Sequence, residues 1–370
     1  MADGYFFVAG CYVFLCGDSM NFSTYQREFI AEARKHDKND EYIEKCLAYA
    51  KNLVDKRLPI IYDEKHFSQL VGIDLDYLLS AANSPKHFYR YFTIPKRNGK
   101  IRKISEPLPV LKEAQYYILN NILKKVPCSI YAKAYKPGAT LKGNAKFHRK
   151  QPVLVKLDLK DYFPSLHESR VFQLFHQSFG YGKSVSILMS KLCTLDGGLP
   201  QGAPTSPYLS NLLTSEMDDK IYQFCSSNGN LRYTRYADDI SISGSMNPSD
   251  IISGVSRIVS EHHLQINKSK TAVIRPHKRQ VVTGVVVNNK IQASKDYRRS
   301  IRLEMHYCMK YGIESHISRA TKRSSDAVDR VKFCQSMLGK INYCLQLNGK
   351  DTEMQRYRDY MLEQLHGNAQ

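Results

Sequence analysis

An α+β fold is what this sequence predicts, and three observations carry the prediction. β-prone and helical runs alternate through the middle of the chain. Two short β-prone runs, Leu231-Arg232-Tyr233-Thr234 and Ile240-Ser241-Ile242-Ser243, flank a tight turn in the manner of a hairpin. Everything after Ser294 has helical character. Hairpin-linked strands followed by a run of helices imply antiparallel sheet in the body and an all-helical end. With 370 residues, 42% of them hydrophobic, the chain can fill two or three subdomain cores.

The elements follow in order. Residues 1–22 are an apolar N-terminal extension. Tyr5–Cys16 lacks the basic flank of a signal peptide, so it reads as a buried strand or helix, or as a dispensable segment before Met20. Residues 23–87 form a helical N-terminal region, with Leu, Ile and Tyr recurring at three and four among charges. Residues 88–152 hold a strand Phe88–Ile94, a basic turn over Lys96-Arg97-Asn98-Gly99-Lys100, a returning strand Ile101–Ile104 and a helix Leu108–Val126. A basic, glycine-containing stretch closes that block. Residues 153–292 open on a buried strand, Val153–Leu157, ending at Asp158. Helices follow over Glu168–Phe179, Lys183–Leu192 and Tyr208–Ser226, with a loop at Gly197–Pro207. After the hairpin come a helix Ile251–Glu261 and strands Thr271–Ile274 and Val281–Val287. Residues 293–370 are helical and basic.

Charge narrows the class of partner. Lys and Arg outnumber Asp and Glu by 54 to 35, a formal charge of +19. The excess is clustered: Lys86–Lys103 carries seven basic residues and no acid. Clustering favours a polyanionic partner over simple solubility. Nine cysteines without a Cys-x-x-Cys pair suggest reduced thiols and a cytoplasmic protein. No run is long enough to span a membrane, so no membrane partner is expected.

The chemistry centres on Tyr236-Ala237-Asp238-Asp239, read as a turn carrying two adjacent carboxylates. Like charges side by side are costly unless a cation neutralises them, and magnesium suits hard oxygen ligands. Asp158, at the end of a hydrophobic strand, is expected to join Asp238, with Asp239 in support. Two magnesium ions there would activate a sugar hydroxyl and hold departing pyrophosphate. Phe163 is expected to press on the sugar of an incoming deoxynucleotide and exclude a 2′-hydroxyl. Gln201 and Gly202, in a loop stiffened by prolines, are expected at the nucleotide, Gly202 by letting backbone approach a base pair. Lys96 and Arg102 are expected at the triphosphate, Arg102 as a fork and Lys96 as a point charge. Lys270 is a candidate near the leaving group, acting as its general acid.

The chain resembles a bacterial reverse transcriptase from about Phe88 onward. The resemblance rests on Phe92-Thr93-Ile94-Pro95-Lys96, Asp158-Leu159-Lys160-Asp161-Tyr162-Phe163, Gln201-Gly202-Ala203-Pro204-Thr205-Ser206-Pro207, Tyr236-Ala237-Asp238-Asp239 and Asn267-Lys268-Ser269-Lys270. It implies a right-hand polymerase fold: fingers over 88–152, palm with interspersed fingers over 153–292, and an RNA-binding thumb over 293–370. It also implies dNTP substrates and a metal set of Asp158, the Leu159 backbone carbonyl, Asp238 and Asp239. Asn144-Ala145-Lys146-Phe147-His148 and Val282-Thr283-Gly284 resemble signatures of the retron branch. That branch implies a cognate structured non-coding RNA, priming from a guanosine 2′-hydroxyl and a branched RNA–DNA product, msDNA. It further implies antiphage defence with a separate effector protein of unknown type, and a host RNase H activity. An oligomer is compatible with it.

From the residues themselves, Asn144 and His148 could contact RNA or could knit their loop to the palm through buried hydrogen bonds. Thr283 and Gly284 lie in a β-prone run where glycine permits close approach of nucleic acid. Arg298, Arg299 and Arg302 occupy one or two helical turns and are expected to follow a duplex backbone. The rival readings are a reverse transcriptase of a group II intron, a diversity-generating element or another defence system, and, in a different class, a non-catalytic RNA-binding scaffold.

Overall fold

The computed structural model describes residues 22–95, 99, 101–321 and 327–366. The expectations for 1–21 and for Lys96 and its neighbours in the basic turn therefore lie outside the described residues. Helices α1 (Phe22–Lys35), α2 (Asp40–Asp55), α3 (Glu64–Val71) and α4 (Leu75–Asn83) come first. Strands β1 (Tyr89–Pro95) and β2 (Ile101–Pro107) lead to α5 (Pro109–Tyr117), α6 (Leu141–Phe147), β3 (Val153–Asp158), α7 (Glu168–Gln173), α8 (Lys183–Cys193), α9 (Ser206–Leu213) and α10 (Ser215–Ser227). Then come β4 (Arg232–Tyr236), β5 (Asp239–Gly244), α11 (Pro248–Glu261), β6 (Ala272–Ile274), β7 (Val281–Val282), β8 (Val285–Val286) and β9 (Gln292–Ala293). Helices α12 (Lys295–Tyr311), α13 (Ile313–Thr321), α14 (Ala327–Leu347) and α15 (Thr352–His366) end the chain.

These elements fall into two compact units that interleave along the sequence. One takes the residues up to Lys136 with Leu159–Lys220 and Ser256–Ile266; the other takes Pro137–Asp158, Ile221–Val255 and Asn267 onward. In the first unit, Asp63 and Asn39 cap α3 and α2 by accepting from backbone N–H groups, which satisfies donors that a helix start leaves open. Tyr25, Phe29, Ile43, Cys46 and Tyr62 pack a small core between α1 and α2. The β1–β2 hairpin is antiparallel from Tyr89↔Pro107 to Pro95↔Ile101 and leaves Tyr91, Phe92, Ile94 and Ile101 exposed.

The second unit is built on an antiparallel sheet of order β4-β5-β3-β6. Residues directly opposite across strands share a face, so the register sorts the side chains. One face carries Val155, Leu157, Tyr233, Ile240 and Ile242, all buried. The other carries Asp158, Lys156, Asp239, Ser241, Ser243 and Thr234. Strand β3 thus alternates apolar and polar side chains until Leu154, which joins a core with Ala145, Val282, Val285, Ile301, Met305, Met337 and Ile341. That core unites α6, the small β7-β8-β9 sheet and the C-terminal helices.

Several expected elements differ. The helix expected over Leu108–Val126 is α5 followed by a π turn, Ile118–Ile122, where the Asn121 amide donates to the Tyr117 carbonyl and competes with the helix ladder. The helix expected over Tyr208–Ser226 breaks at Thr214, whose hydroxyl donates to the Ser210 carbonyl at 2.7 Å. Helix α6, within the basic stretch, starts at Thr140, which accepts from the Gly143 N–H. The single strand expected over Val281–Val287 is a two-residue hairpin, with Thr283 at φ 46 and Gly284 at φ 81.

Candidate active site

Strand β3 ends on Asp158, and the register puts Asp158 directly opposite Asp239, the first residue of β5. Asp239 in turn pairs with Tyr236, which closes the β4–β5 hairpin around Ala237 and Asp238. The turn therefore carries one carboxylate rather than two, because Asp239 belongs to the strand. Ala237 sits at φ 56, a left-handed conformation uncommon for a residue with a Cβ. Beneath it Arg235 is fully buried on the apolar face and donates from Nη1 to the Ala237 carbonyl at 3.1 Å.

The two hairpin carboxylates are costly to ionise. Burial lifts the Asp238 carboxyl above the usual range, and the charges of Asp239 and Asp158 add to it. Burial lifts Asp239 as well; Asp158 adds to the rise, while Lys156 and Lys270 oppose it. Asp158 is 7% exposed, and the Lys270 ammonium donates to both its oxygens, at 2.9 and 2.8 Å. That contact holds the Lys270 ammonium above its ordinary range. A short turn, Lys268–Lys270, delivers the lysine, and the Asn267 N–H anchors the turn to the Asp158 carbonyl at 2.7 Å. The donor set is hard oxygen with unbalanced negative charge, which fits a divalent cation. Among the described residues no three ligating groups are already closed around a single point. Leu159, expected to lend a carbonyl, is buried and bridges Ile266.

Several expected nucleic-acid contacts are corrected. Asn144 and His148 are 1% and 0% exposed. His148 binds Ser243 and Thr234 at 2.8 Å each, and Asn144 accepts from the Thr234 hydroxyl at 2.7 Å, so neither side chain is presented to RNA. Burial, with the Arg232 charge, pushes His148 down to about 3 and keeps the ring neutral. Gly284 is explained by its left-handed turn, since a Cβ there would meet nothing within 4 Å. Thr283 is half-buried within reach of the Asn144 amide at 3.5 Å. Arg298 pairs with Asp351 at 2.7 Å and Arg302 makes a fork on Glu353 at 2.8 and 2.7 Å. Both arginines are thereby spent on tying α12 to the start of α15. Arg299 is exposed and has no acidic partner among the described residues.

The other expected site residues lie in the first unit. Phe163 is half-buried, its ring 5.5 Å from Tyr162 and 6.3 Å from Tyr135, which has φ 59. Gln201 accepts through its carbonyl from the Ser105 N–H at 2.8 Å. A Cβ on Gly202 would lie 2.7 Å from the Ser105 carbonyl oxygen, so the backbone of β2 approaches this glycine closely. Arg102 is exposed on β2 opposite Ile94. Sequence reasoning missed Arg235, Lys156, Thr234, Ser243 and Tyr135. The alternation of β4 and β5 carried a signal for Arg235, Thr234 and Ser243, since it puts hydroxyls and a cation where apolar residues would ordinarily serve.

A family model described as reverse transcriptase (RNA-dependent DNA polymerase) matches residues 94–301. The retron Ec86 reverse transcriptase of Escherichia coli is 32% identical over 267 residues, 70% of this chain and 83% of that protein. The retron Se72 reverse transcriptase of Salmonella heidelberg is 28% identical over 311 residues, 80% of this chain and 81% of that one. Among solved structures, telomerase from Candida albicans in complex with a fragment of telomeric RNA aligns with a TM-score of 0.43 at 12% identity. That alignment covers 76% of this chain and 64% of that one.

Proposed function

The chain belongs to the reverse transcriptase family, in its retron type, and is an RNA-directed DNA polymerase; on that premise we propose how its residues divide the work. Polymerases of this family use a divalent metal and nucleotide substrates. Our reading is that Asp158, Asp238, Asp239 and the Leu159 carbonyl hold two magnesium ions. Bound there, magnesium would supply Lewis acidity to the attacking hydroxyl and to the pyrophosphate. The hydroxyl gives up its proton to solvent and its oxygen forms a bond to the α-phosphorus, the bond from that phosphorus to the bridging β-phosphate oxygen breaks, and pyrophosphate leaves with the electron pair. Lys270 supplies the leaving group with its proton. Phe163, backed by Tyr162 and Tyr135, excludes a 2′-hydroxyl; Arg102, Gln201 and Lys96 orient the triphosphate and base.

We further infer fingers around β1–β2, a palm on the β4-β5-β3-β6 sheet and a thumb in α12–α15, with Arg299 on its exposed side. The template is a cognate non-coding RNA, the first hydroxyl is the 2′-hydroxyl of a guanosine in it, and the product is branched msDNA. Antiphage defence, a separate effector, a host RNase H activity and a cytoplasmic location complete the proposal. No helix among the described residues is long and apolar enough to cross a membrane.

One observation carries the catalytic reading: Asp158 and Asp239 face each other on neighbouring strands, one residue from Asp238. The test is to purify the protein expressed with its flanking locus and sequence the nucleic acid that comes with it. A branched RNA–DNA hybrid, resistant to full digestion by RNase at the branch, is the expected product. Linear RNA alone would favour the scaffold reading.

A further inference from the structure

The buried polar chain behind the catalytic hairpin runs in one direction. The Thr234 hydroxyl has one proton, and it goes to Asn144 Oδ1 at 2.7 Å. Thr234 Oγ1 must then accept from His148 Nε2 at 2.8 Å, so Nε2 carries the ring proton. A neutral imidazole has one N–H, which leaves Nδ1 bare to accept from the Ser243 hydroxyl at 2.8 Å. The Asn144 amide continues toward Thr283 Oγ1 at 3.5 Å. Ser243, His148, Thr234 and Asn144 are all within 1% of full burial.

The location of this chain gives it a purpose. Thr234 and Ser243 lie on the same sheet face as Asp158 and Asp239, on the two strands of the catalytic hairpin. His148 bridges those strands by side chains, across the diagonal between Thr234 and Ser243. Apolar residues at these positions would pack without the cost of burying hydroxyls and an imidazole. A fully satisfied network instead fixes one geometry.

We propose that His148 is a positioning residue for catalysis: in its Nε2–H form it staples β4 to β5 and, with Asn144 and Thr234, holds the hairpin that presents Asp238 and Asp239. The claim rests on the reading of those carboxylates as catalytic. A small displacement of the hairpin moves the carboxylates relative to Asp158, and misplacement on the order of 1 Å can cost about 100-fold in rate.

Thr234→Val removes the hydroxyl at constant shape, and Thr234→Ser restores it. Single-turnover incorporation should show kcat down about 10- to 100-fold in Thr234→Val, with dNTP KM within about twofold of wild type and recovery in Thr234→Ser. Asp238→Asn runs beside them. If Asp238→Asn still synthesises DNA, the carboxylate reading fails. If Asp238→Asn is inactive but Thr234→Val is as fast as wild type, or Thr234→Ser is as slow as Thr234→Val, the positioning role alone is overturned. Nitrogen-15 NMR of the His148 ring gives a readout independent of synthesis and of the variants' folding. A proton on Nε2 at neutral pH is expected, and a proton on Nδ1 would overturn the proposal.

Discussion

The two ends of the polar face of the β4-β5-β3-β6 sheet treat hydrophilic side chains in opposite ways. At one end Asp158, Asp238 and Asp239 crowd together, burial and mutual charge raise the carboxyls of Asp238 and Asp239, and relief comes from Lys270 and Lys156. At the other, Asn144, His148, Thr234 and Ser243 are more deeply buried, yet they satisfy one another. The first end carries stored electrostatic cost and is poised for a ligand. The second is closed and has nothing left to offer one. Depth of burial alone does not mark function; the balance of donors, acceptors and charge does.

The open end should not lose a carboxylate without consequence. Asp238→Asn should lower RNA-templated dNTP incorporation by at least about 1000-fold while RNA affinity, read by filter binding, stays within about twofold. Substrate choice should sit in neither end. Phe163→Ala should cut discrimination between deoxynucleotides and ribonucleotides by about tenfold or more, read as the ratio of kcat/KM values. Unchanged selectivity would move the gate elsewhere. Adding saturating magnesium to metal-free protein should raise the melting temperature by roughly 2–5 °C in wild type and by less in an Asp158→Asn/Asp238→Asn double variant. Equal shifts in both proteins would detach the ion from these residues.

The smallest effect concerns the closed end. His148 is held down to about 3, whereas a histidine in the unfolded chain titrates near ~6.5. The unfolded state therefore binds the extra proton first. The stability His148 contributes is complete above about pH 6.5 and is lost as pH falls toward about 3. Denaturation midpoints of wild type and His148→Gln should converge between about pH 6.5 and 4; a constant gap would contradict the neutral, buried ring.

Much of the open end was legible in the sequence, because its signals are local. A hydrophobic strand stopping at an aspartate and a hairpin with paired acids announce themselves within a few residues. The closed end was not, since His148 meets Thr234 and Ser243 86 and 95 residues away. Its two readings, RNA contact or internal knitting, differ only in burial, which no local pattern reports. Helix α6 has seven residues, too few for periodicity to emerge from a basic stretch. The Thr283–Gly284 turn hid inside a valine-rich run because threonine is an unusual bearer of φ 46. Gly202 is approached closely by the backbone of β2, a neighbour that no local pattern names.

The opposition of Asp158 and Asp239 has a consequence for folding fidelity. Strand side chains alternate faces, so sliding β3 by a single residue against β5 would swing Asp158 into the layer of Val155, Leu157, Ile240 and Ile242. That mispairing would bury an unpaired charge among hydrocarbon, an expensive error. The same acids that we propose for the reaction centre therefore penalise the wrong alignment of the strands. A molecule able to incorporate nucleotides has, by that fact, passed a check on how its sheet was assembled.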